Sequence, residues 1–579
     1  MKKNGRKSWS LFVGVAMSLV FAFYLAGLNG KFKPTPDSCE YLGLGQSLAQ
    51  AKGYQFNGQN GSRYPFLLPA ILAGLNLASV KLPGSISLVC LAKLTQIVWV
   101  ALLTLGAWRL ALHYLTARQA RIVALLVPAN IFIFQHTMFI VSDVPYACLS
   151  IWTLVCLVDK RGFFRVVLGV MLLGLTWSCR SVGIFLAAAV VLGALFGKWQ
   201  QVGRTGRWAR AILVPALAAI PFVIWKLYYA GPAKNYLVYW LESNQATTWW
   251  GKIWGMLREF APRMPLRCVQ LTLNIEGITL PYYFAVILFA VVIIGWWVCF
   301  KQRRCPVEWY ALIYLAALAV WPFEQGVRLY LPLLPLFMVY GMVGVEQLRQ
   351  GAAGTGYKVQ LLRLVIGAAL VVLVLPLALY VVEHLEFARP MELLRGGYIY
   401  CLGAVVILAA GLLWYVSGAS GPLVGRVAVG IFLAIYVGMG LLYMGGYALL
   451  ERGLIKSRGP MLAGYEPYVK MGRWLGEQSA AAEPVLCAQV AIVHWAGGKI
   501  TREPAVSIKE TLKKLQAQEY RGVLVLEPTP PEIPSEDEHN RQLRKMVKEH
   551  PDKFRQVSEG AQNGDYRYHL YIIRAADER

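Results

Sequence analysis

Apolar runs of roughly 18–25 residues recur along this chain from Trp9 to Leu450, separated by short polar gaps. A run of that length, wound as a helix, crosses a hydrocarbon layer of ~30 Å. The pattern predicts thirteen spans, near 9–28, 86–113, 120–138, 142–158, 164–179, 181–197, 209–230, 279–300, 308–321, 327–346, 362–383, 399–416 and 426–449. The class is therefore a polytopic α-helical membrane protein. The first run is long and no small-residue cleavage site follows it, which predicts an uncleaved first span rather than a signal peptide.

Composition agrees with the pattern. The 579 residues are 57% hydrophobic and 15% charged, against about a quarter charged in soluble domains. The formal net charge is +26, but its placement argues against nucleic acid as a partner. Basic residues gather in the gaps MKKNGRK, TARQAR, DKRGFFR, GKWQQVGRTGRWAR and KQRRC, two spans apart, as expected of cytoplasmic loops. With the N-terminus on the cytoplasmic side, segments 29–85, 231–278 and 450–579 fall on the outer side. The ten cysteines are scattered through apolar runs without metal-ligand spacing, and read as buried small hydrophobes.

The outer segments carry structure of their own. TPDSCEYLGLGQSLAQAKG reads as a helix with Thr35 as N-cap, Pro36 in the first turn and Gly53 as the stop. RYPFLLPAILAGLNL, interrupted by Pro65 and Pro69, reads as a segment lying on the membrane. The Trp-rich NYLVYWLESNQATTWWGKIW suits the headgroup layer. The chain divides into a membrane domain, 1–450, and a soluble extracytoplasmic α/β domain, 451–579. In the latter, 465–478, 507–519 and about 536–549 read as helices, and PVLCAQVAIVHW, GVLVLEP and YRYHLYIIR as strands. No internal repeat is evident, which counts against repeat-built transporter folds.

Candidate chemistry gathers on the outer side. Asp37, Glu40, Tyr41, Leu44 and Leu48 share one face of the first-loop helix. Acids in a first turn complement the helix dipole, but acids on an apolar stripe face packed protein, where an unpaired carboxylate is costly. In QHTMFIVSDVPYACL, His136 and Asp143 flank the next outer turn, where Asp143 also suits helix capping. Arg180 and Arg328 stand at outer span ends, and Glu324 is placed as the ion-pair partner of Arg328. Arginine at membrane depth either snorkels or has a partner or ligand. Converging with Arg63 or Lys93, these two would form an anion site suited to a phosphate. His494 stands alone in the soluble domain.

These residues carry a resemblance. DSCEYLGLGQSLAQAKGYQFNG…SRYPFLLPAILA resembles the first-loop signature of GT-C glycosyltransferases of the protein O-mannosyltransferase and lipid A aminoarabinose transferase kind. SDVPYACLSIW is similar to their second acidic turn, CRSVGIFL to their arginine-start helix and VRLYLPLLPLFMVYG to their Arg-Tyr-Leu-x-Pro helix. This chain has RYPF where the family has RYPP, and Glu40 where some relatives carry arginine.

The resemblance implies a GT-C-like fold in a bacterial plasma (inner) membrane, and transfer of a sugar from a polyprenyl-phosphate donor to a protein, lipid or glycan acceptor at the outer face. It implies Asp37 as general base with Glu40 and Asp143 beside it. Arg180, Arg328, Arg63 and Lys93 would bind the donor phosphate, and Tyr41, Tyr64, His136, Glu324 and Tyr330 would position substrate. Asp37, Glu40 and Asp143 are the residues that could hold a divalent cation, Mg or Mn, if one is used. Two other classes stay open. A lipid-linked saccharide transporter or flippase would line a path through the spans with charge, and a noncatalytic scaffold would leave Arg180 and Arg328 without purpose.

Overall fold

The computed structural model describes residues 2–60, 64–81, 87–158, 163–197, 204–229, 249–274, 282–321 and 326–352, isolated positions between 433 and 447, and most of 466–573. The membrane part opens with ten helices: α1 Lys2–Ala26, α2 Pro36–Ala49, α3 Leu67–Lys81, α4 Leu88–Ala111, α5 Ala117–Leu126, α6 Ile131–Met138, α7 Asp143–Val158, α8 Phe163–Cys179, α9 Gly183–Phe196 and α10 Arg204–Tyr229. Further helices run over Trp249–Phe260, Met264–Leu273, Tyr282–Gln302, Pro306–Ala319 and Leu334–Ala352. Among the described residues four helices are long and apolar enough to cross a membrane, or five if one bent pair is a single span. Six shorter apolar helices accompany them. The predicted runs 362–383 and 399–416 lie outside the described residues, and 426–449 is described only at isolated positions.

The predicted span 120–138 is that bent pair, α5 and α6 meeting at 46°. Pro128 cannot continue the helical hydrogen bonding, and the freed polar groups need partners inside the protein. Two asparagines supply them. Asn130 caps α6 and donates to the Leu271 carbonyl at 2.8 Å, while Asn274, at φ 63°, accepts from the Ile131 N–H at 2.6 Å. The segment predicted over 327–346 likewise starts as a 3-10 turn, Gly326–Leu333, with Pro332 inside it.

The first outer segment begins as the capping chemistry requires. Thr35 accepts from the Ser38 N–H, Ser38 reaches back to the Thr35 N–H at 2.8 Å, and Pro36 opens α2. The helix ends at Ala49 rather than at Gly53, because Ala51 already takes the left-handed conformation (φ 55°) that turns the chain. The hairpin β1 (Gln55–Phe56) and β2 (Gln59–Asn60) follows. Helix α2 buries Tyr41 and Leu44 but also Ser38, Cys39 and Leu42. Its solvent face is smaller than the stripe of Asp37 and Leu48 suggested, with only Gln46 exposed, because the C-terminal unit covers part of its other side: Cys39 belongs to that unit's core, with Tyr468, Leu475 and Leu524.

That unit is a five-stranded sheet in the order β4-β3-β5-β7-β6. Strands β3 (Val485–Leu486), β4 (Thr501–Arg502) and β5 (Gly522–Glu527) are mutually parallel, while β7 (Tyr566–Ile573) runs antiparallel to both β5 and β6 (Phe554–Gln562). Helices Glu466–Glu477, Val490–Gly497, Ile508–Gln516 and Glu538–Glu549 complete it. PVLCAQVAIVHW is not one strand: only Val485–Leu486 pairs, and after a left-handed Gln489 the run becomes a helix ending at Gly498. A fully apolar run of that length does not distinguish buried strand from buried helix.

Candidate functional site

The site is a line of alternating charges at one end of the helix bundle. Asp143 is the first residue of α7 and only 1% exposed. Ser142, immediately before it, bonds the Tyr41 hydroxyl at 2.8 Å, and Gln96 of α4 donates to the Val141 carbonyl at 3.0 Å, so α2, α4 and α7 are tied at this turn. Arg180 occupies the break between α8 and α9 and bonds Asp143 Oδ1. The break closes at Gly183, where a Cβ would lie 2.6 Å from the Trp177 Cα, so only glycine lets the chain turn there and aim Arg180 at α7.

Arg328, in the 3-10 turn Gly326–Leu333, links the two carboxylates. Its Nε donates to Asp143 Oδ2 at 2.9 Å, and its Nη2 stands 2.5 Å from Asp37 Oδ2. The other oxygen of Asp37 accepts from the Tyr64 hydroxyl, and the Tyr41 and Tyr64 rings pack 4.6 Å apart. The line Arg180–Asp143–Arg328–Asp37 is neutral in sum, two cations against two anions. Asp143, inside the line, is sealed at 1% exposure, while Arg180 at 16%, Asp37 at 19% and Arg328 at 21% stay partly accessible.

The other predicted residues fall around this line or away from it. His136, on α6, donates from Nδ1 to the Phe132 carbonyl at 2.8 Å and lies within electrostatic reach of Asp143 and both arginines. Tyr330 is buried two residues beyond Arg328. Lys93 is fully buried and donates to Asn29 Oδ1 at 2.7 Å and to the Lys31 carbonyl at 2.8 Å. Glu40 is partly buried one turn beyond Asp37, where its charge acts on the buried Tyr54 and helps, after burial, to push that phenol up. Arg63 and Glu324 lie outside the described residues; among the described residues, the carboxylates that meet Arg328 are Asp37 and Asp143. Sequence reasoning did not single out Ser142, Gln96 or the buried Lys33, whose ammonium sits 3.5 Å from the Tyr447 ring centroid. Ser142 and Gln96 are neutral hydrogen-bonding residues beside or within apolar runs and carry no signal of their partners, and Lys33 is one of two lysines in the polar stretch GKFKPTPD.

The three acids named for a divalent cation do not form a cation site as they stand. Both oxygens of Asp143 face arginines, and those of Asp37 face Arg328 and Tyr64. No group of three His, Cys, Asp or Glu side chains among the described residues is placed to hold a metal.

The fold is the α-helical, GT-C-like one that the resemblance implied. No protein-family model matches the chain and no curated protein matches it in sequence. Solved structures do match in fold. ArnT from Cupriavidus metallidurans bound to undecaprenyl phosphate aligns with TM-score 0.54 at 12% identity over 96% of this chain and 98% of that one. The apo state of the same protein gives 0.52 at 11% over 97% and 98%. The archaeal oligosaccharyltransferase AglB from Archaeoglobus fulgidus gives 0.49 at 11% over 96% and 74%. At 12% identity the ArnT likeness is one of fold: an α-helical membrane protein of GT-C type.

Proposed function

We propose that this protein is a membrane glycosyltransferase that moves a sugar from a polyprenyl-phosphate donor to an acceptor at the outer face of the membrane. The observation that carries the reading is the accessible carboxylate of Asp37, held by Tyr64 and by an arginine anchored on the sealed Asp143. An acceptor hydroxyl or amine attacks the anomeric carbon; the new bond forms as the bond to the phosphate oxygen breaks. The electron pair leaves on that oxygen and the acceptor proton passes to Asp37. The departing phosphate is a weak base, so it needs charge stabilisation rather than a second acid. In this reading Arg328 supplies it as its bond to Asp37 loosens, with Arg180, Arg63 and Lys93 as further cations. Asp143 holds the arginines, Glu40 shapes the acceptor side, and Tyr41, Tyr64, His136, Glu324 and Tyr330 position substrate.

The topology belongs to the same reading: thirteen spans, the N-terminus cytoplasmic, and residues 451–579 outside a bacterial plasma membrane. Helix α7 supports it, since Asp143 opens the helix and the basic gap DKRGFFR follows its other end, about 24 Å away for 16 residues. The test is incubation of the purified protein with a panel of radiolabelled polyprenyl-phosphate sugars and membrane extracts as acceptor. Label should pass to an acceptor and free polyprenyl phosphate should accumulate. In sealed proteoliposomes, label that crosses the bilayer still joined to its lipid would support the transporter instead.

A further inference from the structure

We infer that the C-terminal unit is a positioning element for Asp37, acting through a clasp on the loop that follows α2; the inference rests on the base role proposed above. The clasp is built of backbone-directed bonds between residues 444 and 445 apart in sequence. Asn57 accepts from the Thr501 N–H at 2.8 Å and donates to the Thr501 carbonyl at 2.8 Å, while Arg502 donates to the Asn57 carbonyl at 2.8 Å. An asparagine side chain thereby pairs with β4 as a strand edge would. It is aimed there by a left-handed backbone, φ 54° at Asn57 and 67° at Gly58, which asparagine and glycine tolerate.

Apolar contacts extend the clasp to α2 itself. Phe56 packs edge-on to the His494 ring at 4.9 Å, and Phe32, just before α2, meets Trp495 at 4.6 Å. His494 is fixed by its bond to the Lys499 carbonyl at 2.7 Å. On the helix side Phe56 lies where the Cβ of residue 43 would be, 2.4 Å from its ring, so Gly43 is what admits it. Cys39, two residues after Asp37, is fully buried in the C-terminal unit's core. Two residues are about 200° of helix, so one turn of α2 presents Asp37 to Arg328 and Cys39 to the sheet. The helix is held from both sides, and the second side is the C-terminal unit. Displacing a reacting group by about 1 Å can cost 10²-fold in rate, so this contact sets the distance on which the proposed proton transfer depends.

The experiment uses the full-length protein in nanodiscs, with Asn57→Gly, which keeps the left-handed backbone and loses the side-chain bonds, and Asn57→Asp, which keeps the acceptor alone. Turnover is measured with the labelled polyprenyl-phosphate sugar that the wild type consumes, and amide hydrogen exchange with mass detection of residues 36–49 and 522–527. Asn57→Gly should speed exchange in 36–49, leave 522–527 protected and lower kcat about tenfold with donor KM within about threefold; Asn57→Asp should recover part of the kcat. Unchanged kcat in Asn57→Gly overturns the inference, and so does a loss of kcat that appears only together with lost protection of 522–527. Asp37→Asn runs in parallel. If it turns over at the wild-type rate, the base assignment fails, while the exchange data still decide whether the C-terminal unit holds α2.

Discussion

Asp37 and Asp143 bond the same arginine yet are asked to do different things. Asp143 is sealed, with an arginine on each oxygen, so its carboxylate is structural: it holds Arg180 and Arg328 where solvent would otherwise compete. Removing one partner of a buried, hydrogen-bonded pair costs about 3–5 kcal/mol, since the other charge is left uncompensated. Asp143→Asn should therefore lower the thermal midpoint in detergent markedly, measured by scanning fluorimetry, whereas Asp37→Asn, at a partly exposed site, should lower it little. Both arginines and both acids were legible as candidates, because charge at membrane depth is expensive and rarely idle. Their pairing was not. Among the described residues Arg328 bonds Asp143 and Asp37, 185 and 291 residues away, and nothing local encodes such contacts. The resemblance to GT-C enzymes grouped these four residues in one site, while residue-level reasoning alone brought together only the two arginines.

Elements were legible where the hydrophobic period runs unbroken, as in α4, and less so where function or backbone chemistry interrupts it. The α5–α6 break is the clearest case: a run apolar enough for one span is divided at Pro128, and the freed backbone is satisfied by Asn130 and Asn274. Asn274→Ala removes the acceptor for the Ile131 N–H and the left-handed preference at that position together. It should destabilise the protein by about 1–3 kcal/mol, seen as a lower urea midpoint in mixed micelles. At the α8–α9 break, Gly183→Ala should displace Arg180 and, on the proposed function, lower the affinity for the labelled polyprenyl-phosphate donor, measured by microscale thermophoresis, because the added Cβ meets backbone that cannot move aside. The strands β4 and β6 escaped sequence reading for opposite reasons. One is two residues long, and the other, FRQVSEGAQ, is too polar to announce a strand until β7 pairs with it.

At the scale of the whole molecule, the first outer segment joins the two halves of the chain. It reaches the bundle through Asp37, Tyr41 and Tyr64 and the C-terminal unit through Cys39, Phe56 and Asn57. A change of composition after Leu450 suggested a separate C-terminal unit, but this junction was not visible, since an isolated amphipathic reading of α2 leaves one face for water. The proposed orientation predicts that protease added outside spheroplasts cleaves within 528–537, PTPPEIPSED, while the gap 197–210 stays intact until the cells are lysed. The central claim, that Asp37 is the base of a lipid-linked sugar transfer, is tested most directly by single-turnover kinetics of wild type and Asp37→Asn with a labelled polyprenyl-phosphate sugar, alongside direct binding of that donor. The account predicts that Asp37→Asn binds the donor nearly as tightly as wild type and transfers no measurable sugar; transfer at the wild-type rate would contradict it.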